Sequence, residues 1–141
     1  MTEQLLAVIV ENNQFLRTEL KNLLETQCQT KVKVIGETEN EKQALEMFQQ
    51  IKRFDIAFLN IQLGVTKAER SAGIDLAHWL NQRCNPPYVI FTSDNRDEYL
   101  AALGRYILPA LREHPAAFLK KPIALCDLET AINYVLSKKQ K

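Results

Sequence analysis

The stretch Asp55-Ile56-Ala57-Phe58-Leu59-Asn60-Ile61-Gln62 decides how this chain reads. Four consecutive apolar residues, Ile and Phe among them, predict a short strand covered on both faces. Asn60 stands where that strand runs out. In an open parallel sheet, ligands and chemistry gather at the carboxyl ends of the strands. The residue that closes a central strand is therefore a candidate site residue, and here it is an amide, not a carboxylate.

Working outward, the same kind of element recurs. Leu5 to Val10 is an unbroken apolar run ending in Glu11-Asn12-Asn13, a buried strand with polar residues at its carboxyl end. Asn12 or Asn13 can cap the helix that follows. Leu16, Leu20, Leu23 and Leu24 give that helix its apolar stripe, which leaves Arg17, Glu19 and Lys21 outside. Lys31 to Thr38 alternates around Val32, Val34 and Gly36, as a strand nearer a sheet edge does. Ala44, Leu45, Phe48 and Ile51 mark a second helix.

After Asn60 the spacing predicts a polar loop from Ile61 to Ala72. A helix from Gly73 follows, with Ile74, Ala77 and Leu80 on one side and Trp79 within it, and stops before Pro86-Pro87. Tyr88 to Thr92 reads as a fourth strand, and 96–113 as a fourth helix that Gly104 and Pro109 kink or split. Ala117-Phe118-Leu119 is a short fifth strand ended by Lys120-Lys121-Pro122. Leu125, Leu128, Ile132, Val135 and Leu136 mark a fifth helix. Strand and helix alternate throughout, which predicts an α/β fold with a doubly wound five-stranded parallel sheet and helices on both faces. A single domain spans 1–141, with its core at about 4–137 and a basic tail at 138–141.

Composition narrows the class. Lys and Arg number 18 against 17 Asp and Glu, a net charge of +1, so the basic footprint of a nucleic-acid binder is missing. Cys28, Cys84 and Cys126 are far apart and show no C-x-x-C spacing, so they are expected as free, buried thiols in a reducing compartment. No apolar run approaches the ~18 residues of a membrane span, and the N-terminus lacks signal-peptide character. A cytoplasmic protein is expected. His78 and His114 have no Cys or Ser set beside them and are expected in surface or packing roles. With 4 glycines in the chain and no glycine-rich phosphate loop, neither a nucleotide nor a flavin motif is present.

Strand ends one, three, four and five bring Glu11 with Asn12, Asn60, Thr92 and Lys121 to one edge. With Gly73, Phe91-Thr92-Ser93 and Phe118-Leu119-Lys120-Lys121-Pro122, these residues resemble, in order, the markers of a response-regulator receiver domain. The resemblance covers about residues 4–137. It implies a flavodoxin-like sheet of order 2-1-3-4-5 and a place in two-component (phosphorelay) signal transduction. In that family two acidic residues after strand one bind Mg²⁺, and an Asp ending strand three takes a phosphoryl group from a histidine kinase. A hydroxyl after strand four and a lysine after strand five contact that group. By position, Glu11 and Asn12 correspond to the metal pair, Asn60 to the phosphoacceptor, Thr92 to the hydroxyl and Lys121 to the lysine. Gln62 corresponds to the residue whose backbone carbonyl joins the metal shell, and Phe118 to the aromatic switch position that responds to Thr92.

The chain departs from the pattern at its chemistry. An amide oxygen is a poor nucleophile, so Asn60 is not expected to accept phosphate. With Asn at 12 and 60, Glu11 is the single carboxylate of the usual three, so Mg²⁺ is expected to bind weakly or not at all and no cofactor is expected. Lys121 is expected to pair with Glu11, and Thr92 to bond the local backbone. The reading is thus a pseudo-receiver, not an enzyme, acting through protein–protein contacts, with no membrane or nucleic-acid partner. Its expected partners are a histidine kinase, an output domain or a second copy through the fourth helix, fifth strand and fifth helix. Two alternatives stay open. One keeps phosphotransfer, with Asn60 an engineered replacement of Asp or with Asp94 as acceptor; the other uses the same pocket to sense a small ligand. The loop after Asn60 and the segment 96–115 are both longer than in a minimal receiver. The apolar run from Tyr106 to Leu111 is a candidate interface.

Overall fold

A computed structural model describes residues 4–94 and 117–139. Five strands lie in one parallel sheet in the order β2-β1-β3-β4-β5. They are β1 (Leu5–Val10), β2 (Val32–Thr38), β3 (Ile56–Asn60), β4 (Tyr88–Ser93) and β5 (Ala117–Lys120). Three helices, α1 (Gln14–Gln27), α2 (Glu41–Gln50) and α3 (Ala72–Asn81), and a C-terminal helix (Leu125–Lys139) cover it. Every pairing is parallel, so each connection must cross a face of the sheet. The fourth helix expected over 96–113, with Tyr106–Leu111 and His114, lies outside the described residues.

The double winding follows from alternation along the strands. On one face Leu5, Ala7, Ile9, Ile56, Phe58, Ile90 and Leu119 meet α1 and the C-terminal helix through Leu20, Leu24, Leu128 and Ile132. On the other, Val8, Val10, Ala57, Leu59, Val89 and Phe91 meet α2 and α3 through Ala44, Phe48, Ile74 and Leu80. In β3 every residue is buried, as its unbroken apolar run predicts for a central strand. β2 is at the edge and half-exposed. Its pairing with β1 slips at Ala7/Val8, where Ile35 is the extra residue.

Several boundaries differ from the sequence reading. β4 runs on to Ser93 and β5 to Lys120, because those two residues pair with each other. The loop after Asn60 is not wholly irregular. Glu69–Ser71 form a 3₁₀ turn, Leu63 N–H donates to the Glu69 carbonyl (2.8 Å), and the Glu69 carboxylate accepts from Thr66 N (3.2 Å) and Oγ1 (2.8 Å). Those bonds hold Ile61 and Leu63 in the core and start α3 at Ala72. The cysteines are free, but only Cys28 is buried; Cys84 and Cys126 are exposed. Cys84 falls in the polar turn ahead of Pro86-Pro87, and Cys126 is the second residue of the C-terminal helix, off its packed stripe. Among the described residues no helix is long and apolar enough to cross a membrane.

Candidate functional site

The alternation that splits the core also builds the site. Glu11 is the next residue on the side of Ala7 and Ile9, Asn60 on the side of Ile56 and Phe58, Thr92 after Ile90, and Lys121 after Leu119. All four therefore point toward the α1 face of the sheet at its carboxyl end. Register levels them: Ile9 pairs with Phe58, and Asn60 with Thr92. Glu11, Asn60 and Thr92 are 4%, 6% and 3% exposed, so each polar group must find a partner inside.

The Glu11 carboxylate is bonded on both oxygens. Oε1 pairs with Lys121 Nζ at 2.5 Å. Oε2 accepts from Asn60 Nδ2 (3.1 Å) and from the Asn13 backbone N–H (3.1 Å). Asn60 Nδ2 also reaches the Gln62 backbone carbonyl (2.6 Å) and Asn12 Oδ1 (2.8 Å). Asn12 stays within this cluster whichever way its amide is turned. With NH₂ inward it donates to Glu11 Oε2 (3.0 Å) and Gln62 O (3.2 Å). In both orientations amide hydrogens occupy the space between the Glu11 carboxylate and the Gln62 carbonyl. Asn13 caps α1, its side chain accepting from Leu16 N–H at 3.0 Å.

Lys121 is held by its backbone N–H, which donates to Ser93 O (2.9 Å), and precedes a cis peptide to Pro122. With Glu11 and Thr92 it borders a small gap under Leu16, Leu20 and Ile123. Above the network opens a cleft of about 230 Å³ whose lining includes Asn60, Gln62, Val65 and the exposed Asp94. Val65 is 80% exposed at its rim. Phe118 pairs with Phe91 and packs against the α2/α3 core, on the face of the sheet opposite to Thr92. Gly73 abuts the other side of β3: its N–H donates to Ile61 O (3.0 Å), and a Cβ there would stand 2.8 Å from the Asn60 carbonyl carbon and 2.9 Å from Ile61 Cα.

Two supports escaped the sequence reading. Arg17, assigned to the outer face of α1, is tucked in, its side chain 13% exposed. Its Nη1 donates to the Glu11 carbonyl (2.7 Å) and its Nε pairs with Glu37 (3.2 Å), which also pairs with Lys21 (2.9 Å). No local pattern announces a contact with a residue 20 positions away on β2. The Lys21 hydrogen bond, then Arg17, holds the Glu37 carboxyl below its ordinary value, so folding favours its ionised form. That stabilisation is complete above the ordinary glutamate pKa of about 4.3 and fades as pH falls through the depressed value. Glu37→Gln is expected to cost up to about 1 kcal/mol at neutral pH, and the difference from the parent in urea melts should close in acid. A gap that stays constant down to acid would refute this assignment.

The donor set does not fit the divalent cation that the resemblance implies. Among the described residues no group of three or more His, Cys, Asp or Glu could hold a metal ion. Glu11, the one carboxylate of the buried network, is committed to an ammonium and to amide hydrogens, while a hard cation needs anionic oxygens.

Comparison with known proteins agrees with this architecture. The family model described as "Response regulator receiver domain" matches residues 7–133. An uncharacterized response regulatory protein of Vibrio parahaemolyticus is 29% identical over 137 residues, covering 95% of this chain and 50% of its own length. The transcriptional regulatory protein BtsR of Escherichia coli is 26% identical over 134 residues, covering 95% and 49%. The chain thus spans about half the length of the curated relatives it matches. Among solved structures, the response regulatory domain of protein mrkE from Klebsiella pneumoniae superposes with a TM-score of 0.74 at 19% identity, over 96% of this chain and 99% of that one. Sheet order, the cluster at the strand ends and the match across most of its length agree: this chain belongs to the response regulator receiver domain family.

Proposed function

We propose that this receiver domain is a pseudo-receiver, a module of two-component signalling that works by binding other proteins and carries no phosphoryl group at residue 60. The observation that supports this is the direction of the hydrogen bonds at Asn60. Its Nδ2 donates to Glu11 and the Gln62 carbonyl, where a phosphoacceptor would offer an anionic oxygen. Lys121 balances the charge of Glu11 and the Asn60 amide bonds its second oxygen, so Glu11 is satisfied without Mg²⁺. With no metal and no nucleophile, phosphoryl transfer lacks its main electrostatic support. The domain is then no enzyme and takes up no cofactor. Its signal passes through contacts with a histidine kinase, an output domain or a second copy, in the cytoplasm, with β5 and the C-terminal helix part of the contact surface.

Incubation with acetyl phosphate and Mg²⁺, followed by intact mass measurement, tests the reading. The mass is expected to stay unchanged, and a calorimetric Mg²⁺ titration into the millimolar range to stay silent. A phosphoryl adduct that disappears in Asn60→Ala would overturn it. An adduct that survives in Asn60→Ala and disappears in Asp94→Ala would move the acceptor to Asp94, which lines the same cleft as Asn60 and Lys121.

A further inference from the structure

The opposite end of the sheet carries a cleft of about 520 Å³, within the range of small-molecule sites. It opens at the amino ends of β3 and β4, between the turn 51–55, the turn 84–87 and the last turn of the C-terminal helix. Lys52, Arg53 and Lys139 bring three positive charges to it, and Asp55 brings one negative charge.

Asp55 is already spent: Oδ2 accepts from the Leu6 N–H (2.8 Å) and Oδ1 pairs with Lys139. Lys52 and Arg53 are exposed, and among the described residues neither side chain forms an ion pair or a hydrogen bond. The cleft is therefore left with an excess of about two positive charges, in a chain whose total is +1. Pro86, Pro87 and Tyr88 add apolar surface to the same lining, which Phe54 backs. The floor is fixed in advance. Asp55 N–H donates to Leu6 O (2.7 Å), Tyr88 N–H to Asp55 O (2.8 Å), and Phe54 is clamped between the Phe48 ring (5.5 Å) and the Arg83 guanidinium (5.2 Å).

A recess that combines two exposed basic side chains with the apolar surface of two prolines and a tyrosine suits a ligand with a polyanionic end and a planar ring. From this juxtaposition we infer a binding site for a nucleoside di- or triphosphate, its phosphates on Lys52 and Arg53 and its base against Pro86, Pro87 and Tyr88. The site uses no glycine-rich loop, which is why no motif in the sequence marks it. It shares no residue with the Asn60 network and stands or falls independently of the function proposed there.

The chain has 1 tryptophan, and Trp79 stacks on Phe48 (5.9 Å), which stacks on Phe54 in the cleft wall, so its fluorescence reports on the site. ATP titrated into the intact domain at low salt is expected to give saturable binding by calorimetry and a saturable change in Trp79 emission. The exposed pair Lys52→Ala/Arg53→Ala is expected to weaken binding at least tenfold with an unchanged melting curve. Lys42→Ala, an exposed charge on α2, is expected to leave it unaltered. Absence of binding in the millimolar range overturns the site, as does an equal loss in Lys42→Ala. Inorganic triphosphate binding as tightly as ATP overturns the assignment of the apolar wall to a base.

Discussion

Lys121→Ala is expected to be the most damaging single change at the site, lowering stability by about 3–5 kcal/mol. Lys121 and Glu11 approach to 2.5 Å with side chains 8% and 5% exposed. Removing the ammonium leaves a carboxylate inside among neutral donors, the Asn60 amide and the Asn13 N–H, with Asn12 when its NH₂ is turned inward. None of them supplies a whole charge. Glu11→Gln in the same chain removes the stranded charge, so the double variant is expected to recover much of the loss. Urea unfolding of both single variants and the double variant completes a cycle whose coupling energy reports the pair. A Lys121→Ala domain within about 1 kcal/mol of the parent would mean that solvent reaches Glu11 freely and that the network is not closed.

Gly73→Ala carries the second large effect, and its cause is steric. The new Cβ meets backbone on both sides, the Asn60 carbonyl carbon at 2.8 Å and Ile61 Cα at 2.9 Å, and it also overlaps the Asn60 oxygen. None of these atoms is the loose end of a side chain, so α3 must move away from β3 or the strand end must bend. Ala is the better helix former by about 1 kcal/mol, which offsets part of the cost. A net loss of about 2–3 kcal/mol is expected, a drop in Tm on the order of 10 °C for a domain of this size. Because the displaced carbonyl belongs to Asn60, the cleft should deform as well, visible as amide shift changes at Glu11 and Gln62. A variant that melts with the parent would show that α3 yields at no cost.

The five strands were legible because each is an unbroken or alternating apolar run, and two faces of cover can be read from β1 and β3 alone. Strand ends were legible to within a residue. Ser93 and Lys120 were missed because each is in the sheet through its partner and not through its own preference. Glu11, Asn60, Thr92 and Lys121 could be placed together since each lies one alternation step past a buried residue. Arg17 could not. Its stripe position on α1 is polar, and only the fold brings Glu37 and the Glu11 carbonyl within its reach. The exposed Cys84 and Cys126 escaped for the opposite reason: cysteine is usually interior, and the general habit of the residue outweighed the turn and helix-end positions it occupies here.

One step past the last buried apolar side chain on each of four strands, the molecule carries its polar fittings. Exchange of a carboxylate for an amide there swaps one oxygen for an NH₂ group and leaves the outline of the side chain unaltered. The core that fixes the backbone is complete before those positions are reached. The exchange therefore spares the packing and falls wholly on the electrostatics: a carboxylate at residue 60 would face Glu11 and the Gln62 carbonyl, both acceptors, where the amide now donates.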